Sequence, residues 1–234
     1  MEKIIEPFRK LHPEFRFDVE GGGSSAGITS ALTGTAQVGM SSRDLKKGDP
    51  RESMLLGIPI AIDAIIVVVN KANPIENLTL DQLRKLFSGG IRNWKEVGGL
   101  DRSVHLIVRE EGSGTRSAFD DLAMKVGKEE TPIDDFALVQ DSMGGVREVI
   151  RNDPDAIGFI SLGGRSPVVR TIRIDGIFPT LDTVKEKKYK LVRPFLLLSN
   201  GPFSGMAKEL LDFTLSATGS EIIVKEGYVD IGAK

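Results

Sequence analysis

The 234-residue sequence has no cysteine, two histidines, two tyrosines and one tryptophan. Without cysteine there can be no disulfide framework, thiolate zinc site, iron–sulfur cluster or cysteine nucleophile. That absence leaves the compartment open, because a secreted chain of this size can form a core without staples. Neither His12 nor His105 has a second histidine for a metal pair. Charge of one sign is missing as well. Lys plus Arg number 31 against 33 Asp plus Glu, a net charge of −2, and a general nucleic-acid binder would need a basic surface. Any anion must therefore be met locally. Long apolar runs are absent too. The longest, Ile58–Val69, is interrupted by Pro59 and Asp63 and is too short to span a bilayer. Met1–Lys10 carries Glu2 and Glu6 and no apolar stretch of seven, so it shows no signal-peptide pattern.

What remains is the composition of an ordinary soluble globular protein, 40% hydrophobic and 27% charged, long enough for one large domain or two small ones. Its 26 glycines and 11 prolines are somewhat above average and point to many turns and close backbone approaches. No low-complexity segment, Pro-rich linker or short-period repeat is present.

Periodicity predicts a helix over Lys3–Leu11, a strand over Phe15–Glu20, and then a loop, Gly21–Gly27, leading into helically spaced Ile28, Ala31 and Leu32. Ala36–Met40 reads as a short strand, and Leu55–Val69 as two buried strands split near Ile62-Asp63. Thr79 is a plausible N-cap for a helix over Leu80–Phe87. The strand Val104–Val108 runs into Arg109-Glu110-Glu111-Gly112-Ser113-Gly114-Thr115-Arg116, followed by Phe119, Leu122, Ala123 and Val126 at helical spacing. Further strands are predicted at Ala156–Ile160, Val168–Ile174 and Leu191–Leu198. Further helices start at Ser142 and Ser220 and cover Gly205–Leu215. This alternation favours an α/β fold with largely parallel sheets. Two domains without a linker would have to share crossing strands, expected near Asn70–Pro74 and Gly163–Val169.

The arrangement of strand, Gly/Ser loop and helix start thus occurs twice. A helix N-terminus presents unpaired N–H groups and the positive end of its dipole, so it holds an anion without a basic surface. Glycine lets the backbone approach a ligand, and Ser or Thr adds a hydroxyl donor. Arg109, at a strand end four residues before Ser113, can aim a bidentate guanidinium at the same anion. Each feature also has a plainer role. Gly-Gly-Gly-Ser-Ser suits an N-cap and a turn, Arg43 and Arg116 suit surface or paired cations, and Ser142 suits a cap. Catalytic patterns are weaker. Neither G-x-x-x-x-G-K-[ST] nor G-x-G-x-x-G occurs in these loops, and His105 inside a strand is a poor partner for a serine nucleophile. Asp120-Asp121 and Glu110-Glu111 read as a charged helix face and a loop.

These residues closely resemble the phosphate-binding receptors of ABC importers, the PstS-type family of periplasmic-binding proteins. The resemblance runs over nearly the whole chain: Val19–Ile28, Gly34–Arg43, Val108-Arg109 with Gly112–Thr115, Phe87–Gly89 with Asn93-Trp94, Ala156–Phe159 and Arg193–Phe195. It implies an α/β, two-lobe periplasmic-binding-protein-like (type II) fold with mixed, mainly parallel sheets and flanking helices. Lobe 1 is expected over 1–70 plus 170–234 and lobe 2 over 71–169, with the anion in the cleft and closure burying it. By resemblance, Ser24 donates from the first lobe and Arg109, Ser113, Gly114 and Thr115 contact the anion from the second. Ser42 stands where some members carry an Asp that accepts the proton of hydrogen phosphate, and Ser25 and Arg43 complete the expected ligand set. A hydroxyl at Ser42 can donate as well as accept, which weakens discrimination against sulfate.

Family members begin with a strand and a Gly-Ser-Thr-type loop ahead of the helix that Glu2–His12 resembles. This sequence begins inside that helix, so the strand is expected to come from further upstream residues or from a partner segment. The resemblance also implies no cofactor, metal or catalysis. It places the protein in the periplasm or otherwise outside the cytoplasm, with inorganic phosphate and ABC permease subunits as partners, no nucleic acid, and membrane contact only through those partners or a removed lipid anchor. A phosphate-sensing module without transport, a general oxyanion receptor and an enzyme on phosphorylated compounds stay open as alternatives.

Overall fold

The computed structural model describes residues 1–231. It opens with α1 (Glu2–Leu11), α2 (Gly23–Thr33), β1 (Gly39–Ser41), β2 (Leu55–Val69), β3 (Asn77–Leu78) and α3 (Leu80–Phe87). There follow β4 (His105–Arg109), α4 (Gly114–Phe119), the hairpin β5 (Lys125–Val126) and β6 (Glu129–Glu130), β7 (Leu138–Gln140) and α5 (Met143–Asn152). The remainder is β8 (Ala156–Ser161), β9 (Arg170–Thr171), β10 (Arg173–Ile174), α6 (Leu181–Lys185), β11 (Val192–Asn200), α7 (Gly205–Leu215), α8 (Ala217–Lys225) and β12 (Val229–Asp230).

The chain divides into two compact units. Unit 1 comprises Met1–Ile62 and the chain from Pro194 onward, and unit 2 comprises Asp63–Arg193. These boundaries differ from the expected 70/71 and 169/170. The reason is pairing: β9 lies against the second half of β2, Val68 opposite Thr171, and β10 lies against β3, so residues 170–193 belong with unit 2.

In unit 1, β11 is flanked by β1 and β2, and β12 pairs with β2. Helix α1 turns Ile4, Ile5 and Phe8 inward, the i, i+1, i+4 face of an amphipathic helix, to meet Ala61, Leu210 and Ile223. Helix α2 packs Ile28 and Ala31 on Leu55, Leu196 and Leu198. It lies so close to β1 that a Cβ on Gly27 would stand 2.1 Å from the Met40 carbonyl oxygen, and one on Gly39 would stand 2.4 Å from the Gly27 carbonyl. These two glycines therefore serve helix–strand packing and not the approach of a ligand. Phe15–Glu20, predicted as a strand, forms no ladder. β1 pairs only with β11 among the described residues, and no described strand lies beside residues 15–20 to complete a ladder.

Unit 2 is built on the second half of β2, then β8, β4 and β7 in order. Residues Ala64–Val69 of β2 are fully shielded and β8 is buried throughout, as strands with both faces covered require. Phe87, Phe119 and Phe159 fill the space above, with Phe119 and Phe159 stacked 3.9 Å apart. The capping box Thr79–Gln82 starts α3 as its sequence predicts. Pairing in the sheets is more mixed than the mainly parallel arrangement expected. β8–β4 and β4–β7 are parallel, whereas β2 meets β8, β9 and β12 antiparallel and β1 meets β11 antiparallel. Alternating strands and helices imply parallel neighbours only when successive strands sit side by side, and the neighbours of β2 come from distant parts of the chain.

Two further departures have local causes. β2 runs unbroken through Asp63 because the charge there is compensated. Arg193 donates to Asp63 Oδ2 from Nε and Nη2 at 2.9 and 2.8 Å, while Oδ1 accepts from the Ser161 hydroxyl at 2.9 Å and the Leu162 N–H at 3.2 Å. The helix begun at α4 widens into a π turn over Asp120–Met124, where Arg84 Nε donates to the Ala123 carbonyl at 2.9 Å, so it stops short of Val126. At that turn Arg116 Nε donates to both oxygens of Asp120 at 3.0 and 3.1 Å.

Removing one partner of the buried Asp63–Arg193 pair should be costly. Arg193→Met is expected to lose about 3–5 kcal/mol in urea denaturation. Asp63→Leu combined with Arg193→Met should lose less than that single change, since neither charge is then stranded. Asp120 gives a second expectation. Burial outweighs the pull of Arg116 and lifts its carboxyl to about 6 from a usual 3.8. The folded state then holds a proton that the unfolded chain has released, so stability falls as pH rises from about 4 to 6, by at most about 3 kcal/mol, and is flat above. Asp120→Asn should abolish that slope, as read from denaturation midpoints across pH 4–7.

Candidate functional site

The chemistry anticipated from the sequence resolves into one cluster in each unit. In unit 1, α2 begins at Gly23, so Ser24–Gly27 form its first turn and not a loop before it. Gly22 and Gly23 carry φ of 130° and 79°, values that favour glycine, and swing the chain into the helix. No side chain caps this helix, which leaves its first-turn N–H groups without the usual hydroxyl or carboxylate acceptor. Ser24 is buried in that turn. Its hydroxyl oxygen accepts the Ser42 N–H at 2.9 Å and lies 3.3 Å from the Ser42 hydroxyl. With one lone pair taken by a backbone amide, the Ser24 hydroxyl can still donate its proton, to the Ser42 hydroxyl or to a ligand.

Ser25 and Arg43 do not join this pair. Ser25 lines a cavity of about 190 Å³ whose walls also include Arg43, Glu52, Thr29, Lys46 and Arg51. Arg43, expected as a ligand, is 5% exposed, and its two terminal nitrogens each donate at 2.8 Å to one oxygen of Glu52. Nη1 also donates to the Asp44 carbonyl at 2.7 Å. The Arg43 fork is thus taken up inside unit 1. Arg43 in turn holds the Glu52 carboxyl below its usual range, chiefly by these hydrogen bonds.

In unit 2, Arg109 ends β4 and α4 follows four residues later. Ser113 caps α4, accepting the N–H groups of Thr115 and Arg116 at 3.2 and 3.3 Å. As at Ser24, a hydroxyl whose oxygen is engaged by backbone amides keeps its proton to give. Ser113, Gly114 and Thr115 are all buried. The Thr115 hydroxyl makes no hydrogen bond among the described residues. Arg109 is largely buried and balanced by Glu110, to which Nε and Nη2 donate at 2.8 Å each. Nη2 also reaches the Asp141 carbonyl at 3.2 Å. Its Nη1 is left without a partner among the described residues. Arg116 donates from Nη1 to the Arg109 carbonyl at 3.2 Å, tying the first turn of α4 to the end of β4.

Three charged residues that shape these clusters were missed in the sequence: Glu52, Glu110 in its pairing role, and Asp120 as the partner of Arg116. Of these, the i, i+4 spacing of Arg116 and Asp120 on a helix is a local signal, whereas nothing local marks Glu52.

The larger cavity, about 430 Å³, lies elsewhere in unit 2 and is lined by Arg92, Ser103, His105, Asp134, Phe136 and Asp153 among others. His105 Nδ1 is 2.7 Å from Asp153 Oδ2 and Arg92 pairs with Asp134, so these polar groups satisfy one another. His12 stands within 3.8 and 3.6 Å of Glu14 and Glu209 on the surface of unit 1. Among the described residues, no group of three or more His, Asp or Glu is placed to hold a metal ion, and no helix is long and apolar enough to cross a membrane.

A family model described as a PBP superfamily domain matches residues 1–218. The phosphate-binding protein PstS of Borreliella burgdorferi is 29% identical over 99% of this chain and 85% of its own length. That of Bacillus subtilis is 29% identical over 97% and 75%. Among solved structures, a Clostridium perfringens protein described as a phosphate ABC transporter substrate-binding protein, with bound phosphate, is 34% identical at a TM-score of 0.90, covering 98% of this chain and 93% of that one. An ABC-type phosphate transport receptor from Vibrio cholerae is 34% identical at 0.84, covering 98% and 94%. With one family model over most of the sequence and relatives a third identical along nearly their whole length, this chain belongs to the PBP superfamily, among the PstS-type phosphate-binding proteins.

Proposed function

We propose that this protein binds inorganic phosphate outside the cytoplasm and delivers it to the permease subunits of an ABC importer. The observation that carries the proposal is the likeness, at 34% identity over 98% of the chain, to a Clostridium perfringens protein that holds phosphate. The chemistry of the two clusters supports it. A protein of net charge −2 cannot attract an oxyanion through its overall field, so it needs hydroxyls, amides and one fixed cation.

In this reading Arg109 supplies the cation, through Nη1 at first and through the rest of its fork as the anion competes with Glu110. Ser24, Ser113 and Thr115 donate hydroxyl protons. The uncapped turn of α2 adds its N–H groups, and in α4, where Ser113 already takes the Thr115 and Arg116 N–H groups, Gly114 adds its own. Ser42 orients Ser24 and adds its own hydroxyl. Ser25 is left at the margin, and Arg43 acts behind the ligand set. The ligand set supports a receptor role, since its donors would stabilise a ground-state anion.

Isothermal titration calorimetry tests the assignment. The wild type should give saturable heat with phosphate, and Arg109→Ala should bind about a hundredfold more weakly, the usual order for removing one partner of a buried charge pair. Ser42→Asp should shift preference from sulfate towards phosphate, because a carboxylate accepts the proton that only hydrogen phosphate carries near neutral pH. A folded wild type that gives no saturable heat with phosphate would sink the proposal.

A further inference from the structure

The turn that carries Ser42 is held from behind by charge, and we infer that Glu52, acting through Arg43, is a positioning residue for the phosphate site. The inference rests on the phosphate reading above. Glu52 begins a short 3-10 turn, Glu52–Met54, and is buried with Arg43. Each of its oxygens takes one arm of the guanidinium at 2.8 Å, and Oε2 also accepts the Lys46 N–H at 2.6 Å. Asp49 fixes the entry to that short turn, accepting the Arg51 N–H at 2.8 Å. On the other side of Arg43, the Ser41 hydroxyl donates to the Arg43 carbonyl at 2.8 Å and accepts the Arg43 N–H at 3.2 Å. Residues 41–46 are therefore pinned at both ends by buried groups.

Ser42 lies inside this pinned stretch, next to Ser41, and its N–H is the group that occupies a lone pair of Ser24. That bond, together with the 3.3 Å contact between the two hydroxyls, fixes the position of the Ser24 oxygen. A bidentate Arg–carboxylate pair fixes distance and plane together, which a single hydrogen bond does not, so it suits a task that requires placing a backbone amide to within a few tenths of an ångström. The same pair explains why a second arginine beside the site does not add to the charge offered to the anion: Glu52 neutralises it.

Glu52→Asp and Arg43→Lys keep both charges and break the bidentate geometry, so they separate positioning from a change in net charge. Each is expected to weaken phosphate binding about tenfold by calorimetry, a loss comparable to one weakened hydrogen bond to a charged group. In a Ser24→Ala background Glu52→Asp should cost nothing further. Amide exchange followed by NMR in phosphate-free protein should show faster exchange of the Ser42 N–H in both variants. A lower thermal midpoint with unchanged phosphate affinity and unchanged Ser42 exchange would mean that the pair only stabilises unit 1, and would overturn the inference. So would an additive loss in the Ser24→Ala background. Should Glu52→Asp not fold, Arg43→Lys is judged by the same affinity and exchange measurements. If the wild type itself fails to bind phosphate, the functional reading falls, while unchanged Ser42 exchange would still count separately against the positioning role.

Discussion

Asp63 lies at 1% exposure in the middle of a strand whose next six residues, Ala64–Val69, are wholly apolar and shielded. A carboxylate there is tolerable only if its charge is met on the spot, and Arg193 meets it with two hydrogen bonds while Ser161 and Leu162 satisfy the other oxygen. Burial still pushes the Asp63 carboxyl up against the pull of that guanidinium. The consequence reaches beyond the pair. Asp63 opens unit 2 and Arg193 closes it, so a single interaction ties together the two ends of that unit, and Ser161 joins β8 to Asp63. β2 can then be one continuous strand, and the sheet that carries β4, with Arg109 at its end, is built outward from it.

The same economy governs the two ligand clusters. Neither relies on an excess of positive charge. Arg109 and Arg43 each carry a bidentate carboxylate partner, Glu110 and Glu52, so each cluster is close to neutral. Donors are arranged by giving hydroxyl oxygens something to accept: Ser24 takes the Ser42 amide, and Ser113 takes two amides of its own helix. These bonds fix the hydroxyl oxygens in place at no cost in charge, which is preorganisation achieved with neutral groups. Such a site suits an oxyanion that must also be released.

How much of this could be read from the sequence depended on range. Helix α3 was legible because its capping box spans only four residues, Thr79 to Gln82, and the cap Ser142 before α5 and the apolar face of α1 are equally local. The two Gly/Ser helix starts were legible for the same reason, as was Arg109 at the strand end. Three features were not. Whether Phe15–Glu20 forms a strand depends on a neighbour, which its own alternation cannot supply. The partner of Arg43 lies nine residues on, past a turn with no periodicity, and that of Asp63 lies 130 residues on, so one arginine was taken for a ligand and one strand was split in two. Gly27 carries the same lesson in backbone form: a glycine beside an anion-binding turn invites a ligand explanation, while the 2.1 Å approach of Met40 gives it a packing one.

The central proposal is that Arg109, Ser113 and Thr115 of unit 2 hold phosphate. A crystal structure of the protein grown with phosphate tests it most directly. The account predicts a tetrahedral anion within hydrogen-bonding distance of Arg109 Nη1 and the Ser113–Thr115 turn, with Arg43 still paired to Glu52. Phosphate seated instead in the cavity lined by Arg92 and His105, or Arg43 swung out of its pair to meet the anion, would contradict it.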